Sequence, residues 1–239
     1  MDTVSDVQHL EYDLADVPVR SLNSDLHALP VSPAPDRVLS QYRVTHPAGE
    51  NTIAVGINAP VEVDIEGHVG YYCAGMNQQA RVTVHGNAGV GVAENMMSGV
   101  VHVKGNASQS AGATAHGGLL IIDGDASARC GISMKGVDIV VGGSVGHVTA
   151  FMGQAGRLVV CGDAGDALGD SLYEARIYVQ GSVKSLGADC VEKPMRADHV
   201  AELAELLRQA GRDDDPAEFR RFGSARQLYN FHVDNAASY

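Results

Sequence analysis

Tryptophan is absent from the 239 residues, and aromatics make up only 5% of them. A carbohydrate-cleaving surface built on aromatic sugar platforms has little to draw on. Basic residues are scarce: 17 Lys and Arg stand against 29 Asp and Glu, a formal net charge of −12. Phosphate-backbone binding needs basic surface, so the balance excludes a nucleic-acid partner. No run approaches the ~18 apolar residues of a membrane span. Met1 to Asp16 carries Asp2, Asp6, Glu11, Asp13 and Asp16 and no apolar stretch of the secretory kind. A cytoplasmic protein with no membrane partner is expected.

The four cysteines, Cys73, Cys130, Cys161 and Cys190, form no CxxC pair. That scatter fits neither a zinc site nor an iron–sulfur run. Reduced, structural thiols are expected, with no metal and no cofactor held by this chain.

Glycine is what the chain has in excess, at 28 residues, about 12% against a usual ~7%. Seven of them, Gly67, Gly86, Gly105, Gly124, Gly143, Gly162 and Gly181, stand 19 residues apart. Four and two positions before each glycine the residue is aliphatic, from Val63 and Ile65 through Val101 and Val103 to Ile177 and Val179. Mostly polar residues alternate with them, such as Asp64 and Glu66, Thr83 and His85, His102 and Lys104. Alternation with β-branched side chains predicts a short strand with one face buried in every repeat. After the glycine come His68, Asn87, Asn106, Asp125, Ser144, Asp163 and Ser182, mostly turn formers able to bond nearby amides. Small residues recur seven positions on, as Ala74, Ala93, Gly112, Gly131, Ala150, Gly169 and Ala188. That column predicts a corner or a close backbone approach.

Stacked equivalent residues predict an all-β solenoid, a parallel β-helix of about seven coils. At ~4.8 Å per coil the rod is about 34 Å long. Hexapeptide helices have a sixfold period, which 19 does not contain, and GGxGxD calcium repeats are missing. A right-handed helix with irregular corners fits best. The seven phased glycines are expected to be structural corner residues, with positive φ or no room for a Cβ.

The flanks lack the phase. Residues 1–50 read as an N-terminal arm, with a helix over Asp16 to Leu29 presenting Leu22, Leu26 and Leu29. Thr52 to Val55 is expected to be a strand leading into the 51–190 solenoid. Residues 191–239 read as a helical cap and docking tail. Asp198 is the expected helix cap, with Val200, Leu203, Ala204 and Leu207 on one face and Gly211 at the end. Asp215-Pro216-Ala217-Glu218 reads as a second helix start closed by Gly223, and Leu228, Tyr229 and Phe231 should dock the tail. Both flanks are expected to cover the open ends of the rod.

Chemistry is thin. Gly142-Gly143-Ser144-Val145-Gly146 and Gly162-Asp163-Ala164-Gly165 look like phosphate loops, but their glycines belong to the repeat and no helix pattern follows. His85, His102 and His116 could approach on neighbouring coils without sharing a column, and solvated imidazoles are the expectation. Asp125 and Asp163 share a column two coils apart, roughly 10 Å by strand spacing, which resembles an inverting glycosidase pair. Turn capping explains the whole column equally well. No nucleophile–base constellation stands out, so no catalytic, cofactor-binding or metal-binding residue is expected. Met76, Met96, Met97, Met134 and Met152 are candidates for adaptable outward contacts, with core filling the alternative for each.

The unit φxφxG[ND]A, as in Val101-His-Val-Lys-Gly-Asn-Ala107, resembles the GXGXG β-helix domain. That domain closes the large subunit of glutamate synthase and recurs as the β-helix chain of formylmethanofuran dehydrogenase. The arm Val19-Arg-Ser-Leu-Asn23 and the segment from Gly223 to Phe231 resemble its free-standing form, the β-helix subunit of N-methylglutamate synthase (methylamine–glutamate N-methyltransferase). The resemblance implies a non-catalytic subunit holding a class II glutamine amidotransferase chain against a synthase chain with FMN and an iron–sulfur cluster. An N-terminal cysteine nucleophile is missing, since Met1 precedes Asp2. Competing readings are the β-helix chain of a formylmethanofuran dehydrogenase, a self-assembling structural solenoid, and a stand-alone β-helix carbohydrase or acyltransferase.

Overall fold

The computed structural model describes residues 8–31, 38 and 40–227. The chain runs β1 (Gln8–Asp13), α1 (Val19–His27), β2 (Ser40–Thr45), β3 (Glu62–Ile65), β4 (Arg81–Val84), β5 (Val100–Val103), β6 (Leu119–Ile122), β7 (Lys135–Val141), β8 (Ala155–Val160), β9 (Arg176–Val179), β10 (Cys190–Lys193), α2 (Ala197–Gln209), a 3-10 turn (Pro216–Glu218) and β11 (Arg220–Ser224). The eleven strands among the described residues form one sheet, ordered β1-β2-β3-β4-β5-β6-β7-β8-β9-β11-β10. Parallel pairing from β1 to β9 makes it a mostly parallel β-solenoid of about seven turns.

From β3 to β9 the ladder steps by the repeat: Val63 faces Val82, Val82 faces Val101, and so on to Leu158 and Ile177. The fourteen aliphatic residues of this double column, from Val63 and Ile65 to Ile177 and Val179, are at most 1% exposed. A second ladder of single parallel bridges joins Val69, Ala88, Ala107, Ala126, Val145, Ala164 and Val183, two residues beyond each glycine.

The small-residue column builds a third side that is not a β-strand. Five, seven and nine residues after Gly67, φ is positive at Tyr72, Ala74 and Met76, and the pattern repeats at Gly91, Ala93 and Asn95 and at Ser110, Gly112 and Thr114. Alternating the sign of φ turns successive amides in opposite directions. Tyr72 N–H donates up to the Val90 carbonyl, Ala74 N–H down to Ile53, and Met76 N–H up to Glu94. Thr52 to Val55 belongs to the same kind of arm, so the strand expected there is a turn. Thr52 and Ala54 have φ of 58° and 57°, and Thr52 N–H bonds the Tyr71 carbonyl.

Stacking also begins before residue 51. β2 pairs with β3 in a register of Tyr42 to Val63 and Val44 to Ile65. The step is two residues longer than the repeat, which hides this coil from a fixed-period reading. Helix α1 is shorter than the expected Asp16–Leu29, and it buries Leu22 and Leu26. Its side chains replace a missing coil beneath the first arm. Asn23 donates to the Thr52 carbonyl at 2.8 Å and accepts from Ala54 N–H at 3.0 Å, while His27 Nε2 meets the Val55 carbonyl at 2.7 Å.

Helix α2 lies along the outer face of the sheet instead of over the end of the rod. Its buried Leu203, Leu206 and Leu207 pack with Ile121, Val140, Val159 and Tyr178, the outward column of β6 to β9, and His199 is buried too. Val200 is 36% exposed and Ala204 is exposed, so the buried stripe is rotated from the expected one. The N-cap is Arg196, not Asp198. Gly211, at φ +71°, ends the helix as expected. After the short 3-10 turn, which Asp215 caps through Ala217 N–H, Phe219 is buried. Gly223 then sits inside β11, so no second helix forms there. β11 pairs antiparallel with both β9 and β10, and this antiparallel pair closes the stack. Leu228, Tyr229 and Phe231 lie outside the described residues.

Candidate functional site

Among the seven corner glycines only Gly67 has a positive φ, of +143°; the others stand where a Cβ would strike the coil below. At Gly86 it would lie 2.6 Å from the Gly67 carbonyl carbon, and at Gly181 2.5 Å from the Gly162 carbonyl oxygen. Gly105, Gly124, Gly143, Gly162 and Gly181 each donate N–H to the carbonyl of the glycine before, at 2.9–3.1 Å. The side chains that follow form a parallel ladder. Asn87 Oδ1 accepts from Asn106 N–H, Asn106 Oδ1 from Asp125 N–H, Asp125 Oδ1 from Ser144 N–H, and Ser144 Oγ from Asp163 N–H. The partner amide is one coil away, not local.

Asp125 and Asp163 are both acceptors in this ladder. Asp163 accepts both the amide and the hydroxyl of Ser182, at 2.7 and 2.8 Å, and the amide first, then the hydroxyl, holds its carboxyl below the usual range. An acid that must keep a proton near neutrality needs the opposite shift. The two glycine clusters are likewise stacked corners. A Cβ on Gly146 would lie 2.6 Å from Ala128 N and one on Gly165 2.9 Å from the Gly146 carbonyl carbon, and turn and bridge, not helix, follow both.

His85, His102 and His116 do not share a site. His85 Nε2 meets Asp64 at 3.0 Å and His102 Nε2 meets Asp123 at 2.7 Å, while His116 is exposed. Among the described residues no group of three His, Cys, Asp or Glu is placed to hold a metal ion, and no helix is long and apolar enough to cross a membrane. All four cysteines are free. Burial pushes the Cys73 and Cys130 thiols up to about 12. Half-buried Cys161 rises to about 11, chiefly by burial and against the pull of Arg212. Thiols shifted this way are poor nucleophiles and poor metal ligands. Of the five methionines named as candidate contacts, Met96 and Met134 are fully buried, whereas Met76 and Met97 are 51% and 44% exposed. Tyr71 and Tyr72, edge to face at 6.4 Å, are exposed with them in the first two coils.

Sequence reasoning missed the ionic seam that fastens α2. Arg157 Nε donates to Asp138 at 2.7 Å, Glu202 stands 3.8 Å from Arg157 and 3.4 Å from Arg176, and the Tyr178 hydroxyl donates to Glu202. A signal was present: the outward column, polar at Asp64, Thr83 and His102, turns apolar at Ile121, Val140 and Val159. No exposed strand wants that face wet.

No family model matches the chain. Over 228 residues it is 61% identical to Protein GlxC of Rhizobium meliloti (strain 1021), an alignment spanning 95% of this chain and 98% of that protein.

Proposed function

The chain belongs to the family of Protein GlxC, and from that premise we propose that it is a non-catalytic β-helix scaffold subunit of a glutamate-synthase-like complex. The proposed complex is of the N-methylglutamate synthase kind, acting in glutamate and methylamine metabolism. In it the rod holds a class II glutamine amidotransferase chain against a synthase chain that carries FMN and an iron–sulfur cluster. The repeat unit and its flanks supply the resemblance. The observation that carries the reading is how the polar column is used: Asn87, Asn106, Asp125, Ser144 and Asp163 each accept an amide of the neighbouring coil. Such a ladder stiffens a rod, and its Asp163 carboxyl is held below the usual range, the wrong direction for a general acid.

The cysteines do not fit a cluster. Cys73 and Cys130 occupy one column three coils apart, ~14 Å by strand spacing, and both are fully buried. The cluster is therefore assigned to the partner. Exposed Tyr71, Tyr72, Met76 and Met97 offer adaptable contact area for a protein partner.

Affinity purification of the tagged chain from its native host is the test. An amidotransferase and a yellow flavoprotein should elute with it in fixed ratio. Elution of the chain alone, with turnover of its own, would overturn the reading. Tungsten or molybdenum in place of flavin would move it to the formylmethanofuran dehydrogenase complex.

A further inference from the structure

Positive charge concentrates in one cleft of this acidic molecule. Arg176, Lys193, Arg196, Arg221 and Arg226 line a space of about 560 Å³ beside the start of α2, with Glu174 as the carboxylate in its wall. Five of the chain's 17 basic residues meet there, although 29 acidic ones were available. They arrive from β9, β10, the residue before α2, β11 and the segment after it, so the fold assembles the cluster and no motif does.

Local pairing leaves charge over. Arg176 meets Glu202 at 3.4 Å, Arg196 meets Asp198 at 3.2 Å, and Arg226 meets Glu174 at 2.9 Å. Arg221 and Lys193 have no carboxylate within 4 Å among the described residues. Arg221 Nε donates to the Pro194 carbonyl at 3.1 Å, which leaves the rest of its five-donor fork. Burial first, and then Arg196 and Arg176 against the opposing pull of Tyr178 and Asp198, lower the Arg221 pKa, so like charges are close enough to disfavour one another. The buried His199 in the same wall is shifted the same way by burial and by Arg221. Crowded cations of this kind lose that repulsion when an anion enters. Planar guanidinium forks match carboxylate and phosphate oxygens, and the volume lies within the ~300–1,000 Å³ of small-molecule sites.

We propose that this cleft binds a small oxyanionic ligand, a phosphate or a dicarboxylate, with Arg221 and Lys193 as its principal charge partners. The site is independent of the scaffold reading, because binding to the isolated chain needs no other subunit.

Calorimetric titration of the full chain with inorganic phosphate alone, and separately with succinate alone, at fixed ionic strength set with sodium chloride, tests it. Saturable one-to-one binding of at least one anion is expected, and whichever saturates identifies the ligand chemistry. Arg221→Gln and Lys193→Gln should each weaken it at least tenfold. Lys104→Gln, which removes an amine paired with Asp123 outside the cleft, should leave it unchanged. Lys193 is only partly buried, so its variant reports even where Arg221→Gln unfolds. No saturable heat with either anion, or equal weakening by Lys104→Gln, overturns the proposal.

Discussion

At Gly105 a Cβ would stand 2.3 Å from Asn87 Oδ1 and 2.8 Å from the Gly86 carbonyl. Those atoms are the bonds that join coil to coil, so Gly105→Ala must part the ladder. A loss of ~1–3 kcal/mol is expected from such overpacking, read as a fall in the urea midpoint. Gly211 is the contrast. Its φ is +71° with nothing within 4 Å of a Cβ, so Gly211→Ala meets only the left-handed backbone penalty of ~1–2 kcal/mol. Gly105→Ala should also abolish amide-exchange protection at Asn106, which Gly211→Ala leaves intact. Asp163 adds a pH term. Its folded-state pKa is depressed by the Ser182 amide and hydroxyl, so its contribution is full above the ordinary carboxylate range, near ~4, and is lost as pH falls through the lowered value. Asp163→Asn keeps an amide acceptor without the titration. Its melting temperature should lie below the parent's near pH 7, where the carboxylate's contribution is full, and fall less steeply on acidification so that the two converge; parallel acid limbs would show that the carboxylate adds nothing. The corner glycines were legible in the sequence because a 19-residue period marks them. What required them was not, since φ and the distance to the next coil are properties of the stack.

The helices behave differently from the coils as elements. α2 adds a second apolar layer, Leu203, Leu206 and Leu207 against Val140, Val159 and Tyr178, all at most 1% exposed. Leu203→Ala should cost ~2–5 kcal/mol. Hydrogen exchange should place that loss in α2, with the amides of the β3 to β5 coils still protected. Uniform loss of protection would mean that helix and rod unfold as one unit. Which face α2 buries was open in the sequence, because Leu203 and Leu207 fit two neighbouring stripes. The Ile121, Val140 and Val159 column decides between them, and His199 takes the buried place that Val200 was expected to fill. Asp215-Pro216 does start a turn, but Arg220 to Phe222 are held in the ladder by Val179, Tyr178 and Ile177. The strand wins because it satisfies the open edge of β9.

Over the whole molecule the coils touch mainly their neighbours, so stability is a sum of similar interfaces closed at each terminus. α1 with β1 and β2 finishes one end, and the antiparallel β10–β11 pair finishes the other. Thiol reactivity reads the integrity of that stack. Cys73, Cys130 and Cys190 are buried, with pKa values pushed up to about 12, first of all by burial. At pH 8 they should label with a maleimide only as the far-ultraviolet signal is lost in urea. Cys161, half-buried, should react slowly before that point. Rapid labelling of Cys73 in the folded protein would show that single coils open independently.

The amino-acid order alone determined the number of repeated coils, their length, the strand in each and the inward columns, because each coil carries its own copy of the pattern. Contacts between segments that share no phase were decided only in three dimensions. The 21-residue step from β2 to β3, the left-handed arms, the seat of α2 and the five-cation cleft are of this kind. Each depends on what a distant stretch of chain presents to its neighbour, and a period cannot record that.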